Sequence, residues 1–364
     1  MGYEVGKSIL YQKTGLAKSL LALDLLSKNT GDRIQPISEY QEKFGVSRGT
    51  VQNAFTYLKE CGAVELEHHG HQGTYIERLD YHKLQENCMR KELLGIMPLP
   101  YSLTYEGFAT AIYSELDELN FNMAYARGAV GRIELVESGT YQFAICSRYA
   151  AEQSISSGKK IEIAFDFGPG SFLSKHVLLL ADESKDGICD GMKVAYDSKS
   201  LDQSRITDNI VKGKKITLIP IRTQQTIGAL IDGTIDAGVW NYDDVLENHH
   251  DRLKVVSLAE TDYNNSFSTA VLVIKTGDEA LKALLKKYIS VERVLGILSE
   301  VREKRREPVF SCKKNNSSGL EYPVSVCQDI VLLVMQPVSR SIDIAKITAA
   351  VSIQYKQQHA IHTI

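Results

Sequence analysis

Between residues 47 and 56 lie the side chains best suited to chemistry: Ser47, Arg48, Thr50, Gln52, Asn53 and Thr56 fall largely on one face of a helix. Hydroxyl, amide and guanidinium groups at that spacing are the donors and acceptors that read base edges and hold phosphates in a major groove. The opposite face carries Val51, Ala54, Phe55 and Leu58 at spacings of three and four, a stripe that must be buried. Gly45 permits a tight turn just upstream, and Ser47 can cap the helix by accepting a backbone N–H. The elements that must position this face surround it. Thr14 to Leu26 reads as a helix with Leu16, Leu20, Leu23 and Leu26 as its apolar stripe, and Ile37 to Phe44 reads as a short helix. Ala63 to Glu67 and Thr74 to Ile76 alternate like strands around a glycine-bearing loop that contains His68, His69 and His71. Two helices joined by a turn and followed by a β-hairpin make a winged helix-turn-helix.

A second set of residues lies further along, where strands alternate with helices and imply a largely parallel sheet covered on both faces. Leu79 to Glu92 reads as a polar linker helix, and Glu279 to Arg305 as one long helical stretch. The phrases Glu137-Ser138-Gly139-Thr140 and Ile231-Asp232-Gly233-Thr234 echo one another: each ends a helix at a glycine cap and leads into a buried strand. Ligands in open α/β sheets bind beyond the carboxyl ends of strands. Those ends supply Tyr101 and Ser102, Arg127 and Gly128, Ser147 and Arg148, Ser171 after Gly168-Pro169-Gly170, Ser198, Arg222 and Thr223, and Trp240 and Asn241. Short hydroxyls and helix N-termini suit an anion, and Arg127, Arg148 and Arg222 can clamp one. Trp240 can stack on a ligand or plug its lobe, and His176, in an apolar run, reads as a core histidine.

The segments Asp32-Arg33, Phe44 to Arg48, Thr50-Val51, Ala54, Leu58 and Gly70…Gly73-Thr74-Tyr75-Ile76 resemble the winged helix-turn-helix of GntR-type bacterial regulators, over roughly residues 14–78. The resemblance implies that Arg33, Ser47, Arg48 and Thr50 approach double-stranded DNA and that the wing glycine, Gly73, enters the minor groove; His71, in the same loop, reads as a wing contact. Gln52 stands where that family usually has Arg, and Gln35-Pro36-Ile37 replaces its usual Leu-Pro-Ser-Glu. Residues 93–309 resemble the bilobal fold of periplasmic binding proteins as reused in effector domains, and the order of the two modules resembles the YhfZ family of regulators. Fold and organisation follow as expectations: α/β, with a winged helix-turn-helix at 1–79, a linker at 80–92, a two-lobed solute-binding-protein-like domain at 93–309 with its second lobe at about 185–260, and an atypical tail at 310–364. The implied function is a ligand-responsive DNA-binding regulator, dimeric and cytoplasmic, with a small polar or anionic effector. An enzyme on the solute-binding fold, or an adaptor contacting protein through its wing, fits the same residues.

Composition narrows the classes. The balance of 42 basic and 45 acidic residues, net −3, argues against a chain that coats polyanions or membrane surfaces. Residues 1–79 hold nine basic and nine acidic side chains, so this domain expects modest DNA affinity unless dimerisation doubles the contacts. No apolar run reaches the roughly 18 residues of a membrane span, and the first residues lack a secretory pattern. Six cysteines are scattered without metal spacing, and the histidine cluster lacks partners at ligand spacing, so neither a metal nor a cofactor is expected. No Ser-His-Asp order, phosphate loop or G-x-G-x-x-G motif points to catalysis.

Overall fold

The computed structural model describes residues 2–88, 92–248, 252–259 and 265–311; the tail from residue 312 lies outside the described residues. The chain opens with helices α1 (Gly2–Leu26), α2 (Ile37–Phe44) and α3 (Arg48–Glu60), then antiparallel strands β1 (Val64–His68) and β2 (Thr74–Leu79). α2 stops at Gly45, whose φ of 64° lies in the left-handed region. α3 starts at Ser47, whose hydroxyl accepts the Thr50 N–H at 3.3 Å. Val51, Ala54, Phe55 and Leu58 are buried against α1, as their spacing requires.

The apolar face of α1 differs from the expected leucine stripe. Ala17, Leu21, Ala22, Leu25 and Leu26 are buried, whereas Leu16 is 40% exposed. This helix is apolar around more than half its circumference, so leucine spacing alone does not select the face that α3 covers. Buried Asp24 ties α1 to α2 by accepting from the Tyr40 hydroxyl at 3.1 Å and from Lys43 at 2.5 Å.

Helix α4 (Tyr81–Glu86) occupies the expected linker and is packed down. Leu84 is fully buried, and the Gln85 amide exchanges two hydrogen bonds with the backbone of Asn120, at 2.6 and 2.7 Å. Two lobes follow. Strand β3 (Leu93–Met97), α5 (Leu103–Glu115), β4 (Phe121–Tyr125), α6 (Ala129–Glu137), β5 (Phe143–Ser147), α7 (Arg148–Ser156) and β6 (Ile161–Asp166) lead to a crossing. The second lobe comprises β7 (His176–Leu180), β8 (Lys193–Tyr196), α8 (Leu201–Ile210), β9 (Thr217–Pro220), α9 (Thr226–Ile231), β10 (Ala237–Asn241), α10 (Tyr242–Asn248) and β11 (Lys254–Ser257). The chain then returns through α11 (Asn265–Ser268) to β12 (Ala270–Lys275), α12 (Glu279–Tyr288) and α13 (Val291–Arg302).

The sheets run β4-β3-β5-β12-β6 and β11-β7-β10-β8-β9. Each is mixed rather than largely parallel, because the first strand after each crossing, β7 or β12, runs antiparallel to both neighbours. The second sheet therefore starts at His176, ahead of the boundary near 185 read from sequence. The two crossings lie side by side: the Phe172 N–H meets the Ser268 carbonyl at 2.8 Å, and the Ala270 N–H meets the Ser171 hydroxyl at 2.8 Å. Gly139 and Gly233 of the echoed phrases take φ of 78° and 76°, the left-handed cap each phrase implies. The long helical stretch after Glu279 breaks at Ile289, where Ser290 caps α13 and Glu115 accepts the Ser290 N–H at 2.7 Å.

One hydrophobic core runs from α1 and α3 through Leu84 of α4 to α5, α12 and α13. Lys287 reinforces it, donating to the Leu26 carbonyl at 3.3 Å, to the Lys28 carbonyl at the end of α1, and to the Tyr81 hydroxyl at 2.9 Å. No helix among the described residues is long and apolar enough to cross a membrane.

Candidate DNA-reading face and interlobe cleft

On α3, Arg48, Gln52 and Asn53 are exposed and Thr50 is half-buried, opposite the buried stripe. The Ser47 and Thr50 hydroxyls stand 2.8 Å apart and share a hydrogen bond, so the cap also orients Thr50. Arg33 forms an isolated antiparallel bridge with Tyr75, and its guanidinium lies on the wing at Gly73. A Cβ at Gly73 would come within 2.5 Å of Arg33 Nε, and the φ of 102° there independently favours glycine. His71 is exposed in the wing turn, whereas His68 bonds the Thr74 hydroxyl at 2.7 Å and His69 pairs with Glu67 at 3.0 Å. Arg33 and Gly73 are thus brought together, and Arg48, Gln52 and Asn53 share one open face.

In the lobes, the sequence-selected residues divide. Tyr101 stacks on Trp240 across the cleft, centroids 6.4 Å apart and planes 25° apart, and the indole N–H donates to Asp244 at 2.5 Å. Ser102 caps α5. Ser147 caps α7 and donates its hydroxyl to Asp202 of the second lobe at 2.7 Å. Gly128 backs onto Lys199, whose carbonyl would lie 3.4 Å from an added Cβ. Asn241 accepts the Asp243 N–H at 2.9 Å, and its buried side chain faces the Tyr101 hydroxyl. Thr223 bonds Asp197 through its N–H at 2.8 Å and its hydroxyl at 3.0 Å, beside a polar cavity of about 10 Å³, room for one water. Ser171 is spent on the crossing, accepting from Ala270 and donating to the Gly168 carbonyl. Arg148 pairs with Asp166, and Arg127, Arg222 and Ser198 are exposed.

Residues 80–310 match the model of the YhfZ C-terminal domain, and residues 29–76 match a helix-turn-helix domain model. The chain belongs to the YhfZ family. It is 27% identical over 301 residues to the uncharacterized protein YhfZ of Escherichia coli (strain K12), spanning 82% of this chain and 98% of that one. The crystal structure of YhfZ from Shigella flexneri is 25% identical, with a TM-score of 0.52, covering 63% of this chain and 97% of that one. This YhfZ-family chain joins a helix-turn-helix domain to a two-lobed fold with mixed sheets.

The cation that this family member does place between its lobes is one that sequence reading missed. Arg132 is 4% exposed and donates to the Ala126 carbonyl at 2.8 Å and the Ile145 carbonyl at 3.2 Å, just past β4 and within β5. Burial lowers its pKa, while Cys146, Tyr105, Asp202 and Tyr101 nearby pull it back up. The only signal was an arginine in the otherwise apolar start of α6. Asp202 was also missed: burial pushes its carboxyl up to about 7, against the Ser147 hydrogen bond and the Arg132 charge. Burial likewise pushes the Tyr101 hydroxyl up to about 12 and Tyr105 well above its usual value. His176 is a core histidine, driven down to about 3 by burial. The cleft is thus a low-dielectric polar seam of aromatic hydroxyls, one buried guanidinium and carboxylates.

Proposed function

We propose that this chain is a ligand-responsive transcriptional regulator that binds double-stranded DNA as a homodimer in the cytoplasm. Residues 1–79 act as the DNA-binding domain, 80–92 as the connection and 93–309 as the effector domain. Arg48, Gln52 and Asn53 meet base edges, Ser47, Thr50 and Arg33 hold phosphates, and His71 and Gly73 lay the wing in the minor groove. A small polar or anionic metabolite is met at the facing lobe ends by Tyr101, Ser102, Gly128, Ser147, Trp240 and Asn241. It acts through its differential affinity for two arrangements of the lobes. The chain works by binding rather than by turning over a substrate.

The observation that carries this reading is the exposed polar face of α3 opposite its buried stripe, on a head whose core is continuous with a two-lobed domain. The test is a selection of the full chain against a random double-stranded DNA library at fixed salt. Enrichment of a palindrome is expected. No enrichment from folded protein would sink the DNA-binding reading in favour of a protein-contacting adaptor.

A further inference from the structure

Three carboxylates of the second lobe reach out of it. Asp243 accepts from the Thr104 hydroxyl of α5 at 3.1 Å, while the Ser174 N–H beside β7, at 3.0 Å, holds the same carboxylate within its own lobe. Both oxygens of Glu247 lie 3.0 and 3.1 Å from the Leu103 N–H, in the first turn of α5. Asp202, on α8, accepts from Ser147 at the end of β5. Asp243 and Thr104 are 6% and 1% exposed, so their contact is shielded from water. All these bonds pair a carboxylate with a neutral donor, the charge-assisted kind, and Glu247 also gains from the positive end of the α5 dipole.

We infer that these carboxylates form a latch: the two lobes close on groups of the chain itself, and the switched state of the effector domain is the open one. The inference rests on the reading of this cleft as the element that answers an effector, and it adds the direction of the response. In a cleft that closes only around a solute, the solute supplies the acceptors for donors on the opposite lobe. Here α8 and α10 supply them. Opening would hand the Leu103 amide and the Thr104 hydroxyl to water, and each charged hydrogen bond lost shifts the closed-to-open ratio by about tenfold or more. An effector must therefore outcompete or pull aside α10 to act, which makes α10 the moving part of the switch.

The experiment compares the full wild-type chain with the isosteric Asp243→Asn/Glu247→Gln double variant and, separately, with Thr104→Val, which removes a donor without touching α10. Small-angle X-ray scattering gives the radius of gyration, and hydrogen exchange reads the peptide carrying Leu103. The wild type should scatter as the closed form. The double variant should show a larger radius of gyration and exchange at the Leu103 amide faster by about tenfold for each carboxylate neutralised. Thr104→Val should move the same way by less. An unchanged radius of gyration in both folded variants overturns the latch, as does wild-type scattering that already fits separated lobes. Should the double variant lose its circular dichroism and prove unfolded, Thr104→Val decides alone. Neither readout involves DNA, so failure of the latch and failure of the DNA-binding reading are told apart.

Discussion

Replacing Arg132 by Met tests whether the buried guanidinium organises the cleft. Methionine fills much of the same length but donates no hydrogen bond, so the Ala126 and Ile145 carbonyls, now at 2.8 and 3.2 Å from the guanidinium, lose their partner. An orphaned buried acceptor costs about 1–3 kcal/mol. Asp202 also loses the positive charge that holds its carboxyl down. Against this, Arg132→Met removes the desolvation cost of a cation that is 4% exposed. Breaking one side of a buried charged arrangement generally outweighs that relief, so the net loss should be about 3 kcal/mol. Trp240, the only tryptophan, stacks on Tyr101 at this cleft and reports denaturant unfolding by its fluorescence. In a double-mutant cycle, adding Asp202→Asn to Arg132→Met should recover part of the loss, with non-additivity above about 0.5 kcal/mol. Wild-type stability in Arg132→Met, or strict additivity in the cycle, would refute the claim that Arg132 works through the carbonyls and Asp202.

Arg48→Ala should weaken binding to the selected DNA by about 1–3 kcal/mol and relax the base preference at the position it meets; unchanged affinity removes α3 as the reading helix. Gly73→Ala should displace the Arg33 guanidinium and strain a backbone at φ 102°, lowering DNA affinity by about tenfold while helix content stays constant, at a stability cost of about 1–2 kcal/mol; full affinity would show that the Arg33–Gly73 contact plays no part. Asp202 has a folded-state pKa of about 7, above its unfolded value, so its contribution to stability is full below the usual carboxylate range and is lost as pH rises through 7. Melting curves of wild type and Asp202→Asn should therefore diverge in favour of the variant between about pH 4 and pH 7, and a gap that does not change with pH would count against the shifted carboxyl.

The parts legible in sequence were those fixed by local rules. Gly45, Ser47 and the Val51–Leu58 spacing set a turn, a cap and a buried face within a few residues of one another, and the structure has all three. Gly139 and Gly233 announced their caps in the same way. What local rules do not encode is which helix meets which. The face of α1 is chosen by α3, not by its own leucines. Arg132 and Asp202 become a pair of neighbours only because two lobes meet, and nothing near either residue in the chain says so. Arg127, Arg148 and Arg222 sit at strand ends as required of ligand-binding arginines, yet Arg148 is paired with Asp166 and Arg127 and Arg222 are exposed. The mixed sheets follow from two crossings between lobes, a long-range feature that alternating strand and helix patterns cannot distinguish from a parallel winding.

On the DNA-binding reading proposed above, the unbroken core beneath α1, α4 and α12, pinned by Lys287, constrains the grammar of the DNA sites. A reading head on a slack tether tolerates half-sites at several separations. A head seated on its lobe carries a fixed pitch and stride. In a dimer of such chains, one extra base pair between half-sites turns the second by roughly 35° and moves it by about 3.4 Å, and nothing in the mount takes up that error. Operators for this protein should keep one strict spacing and differ chiefly in the letters within each half.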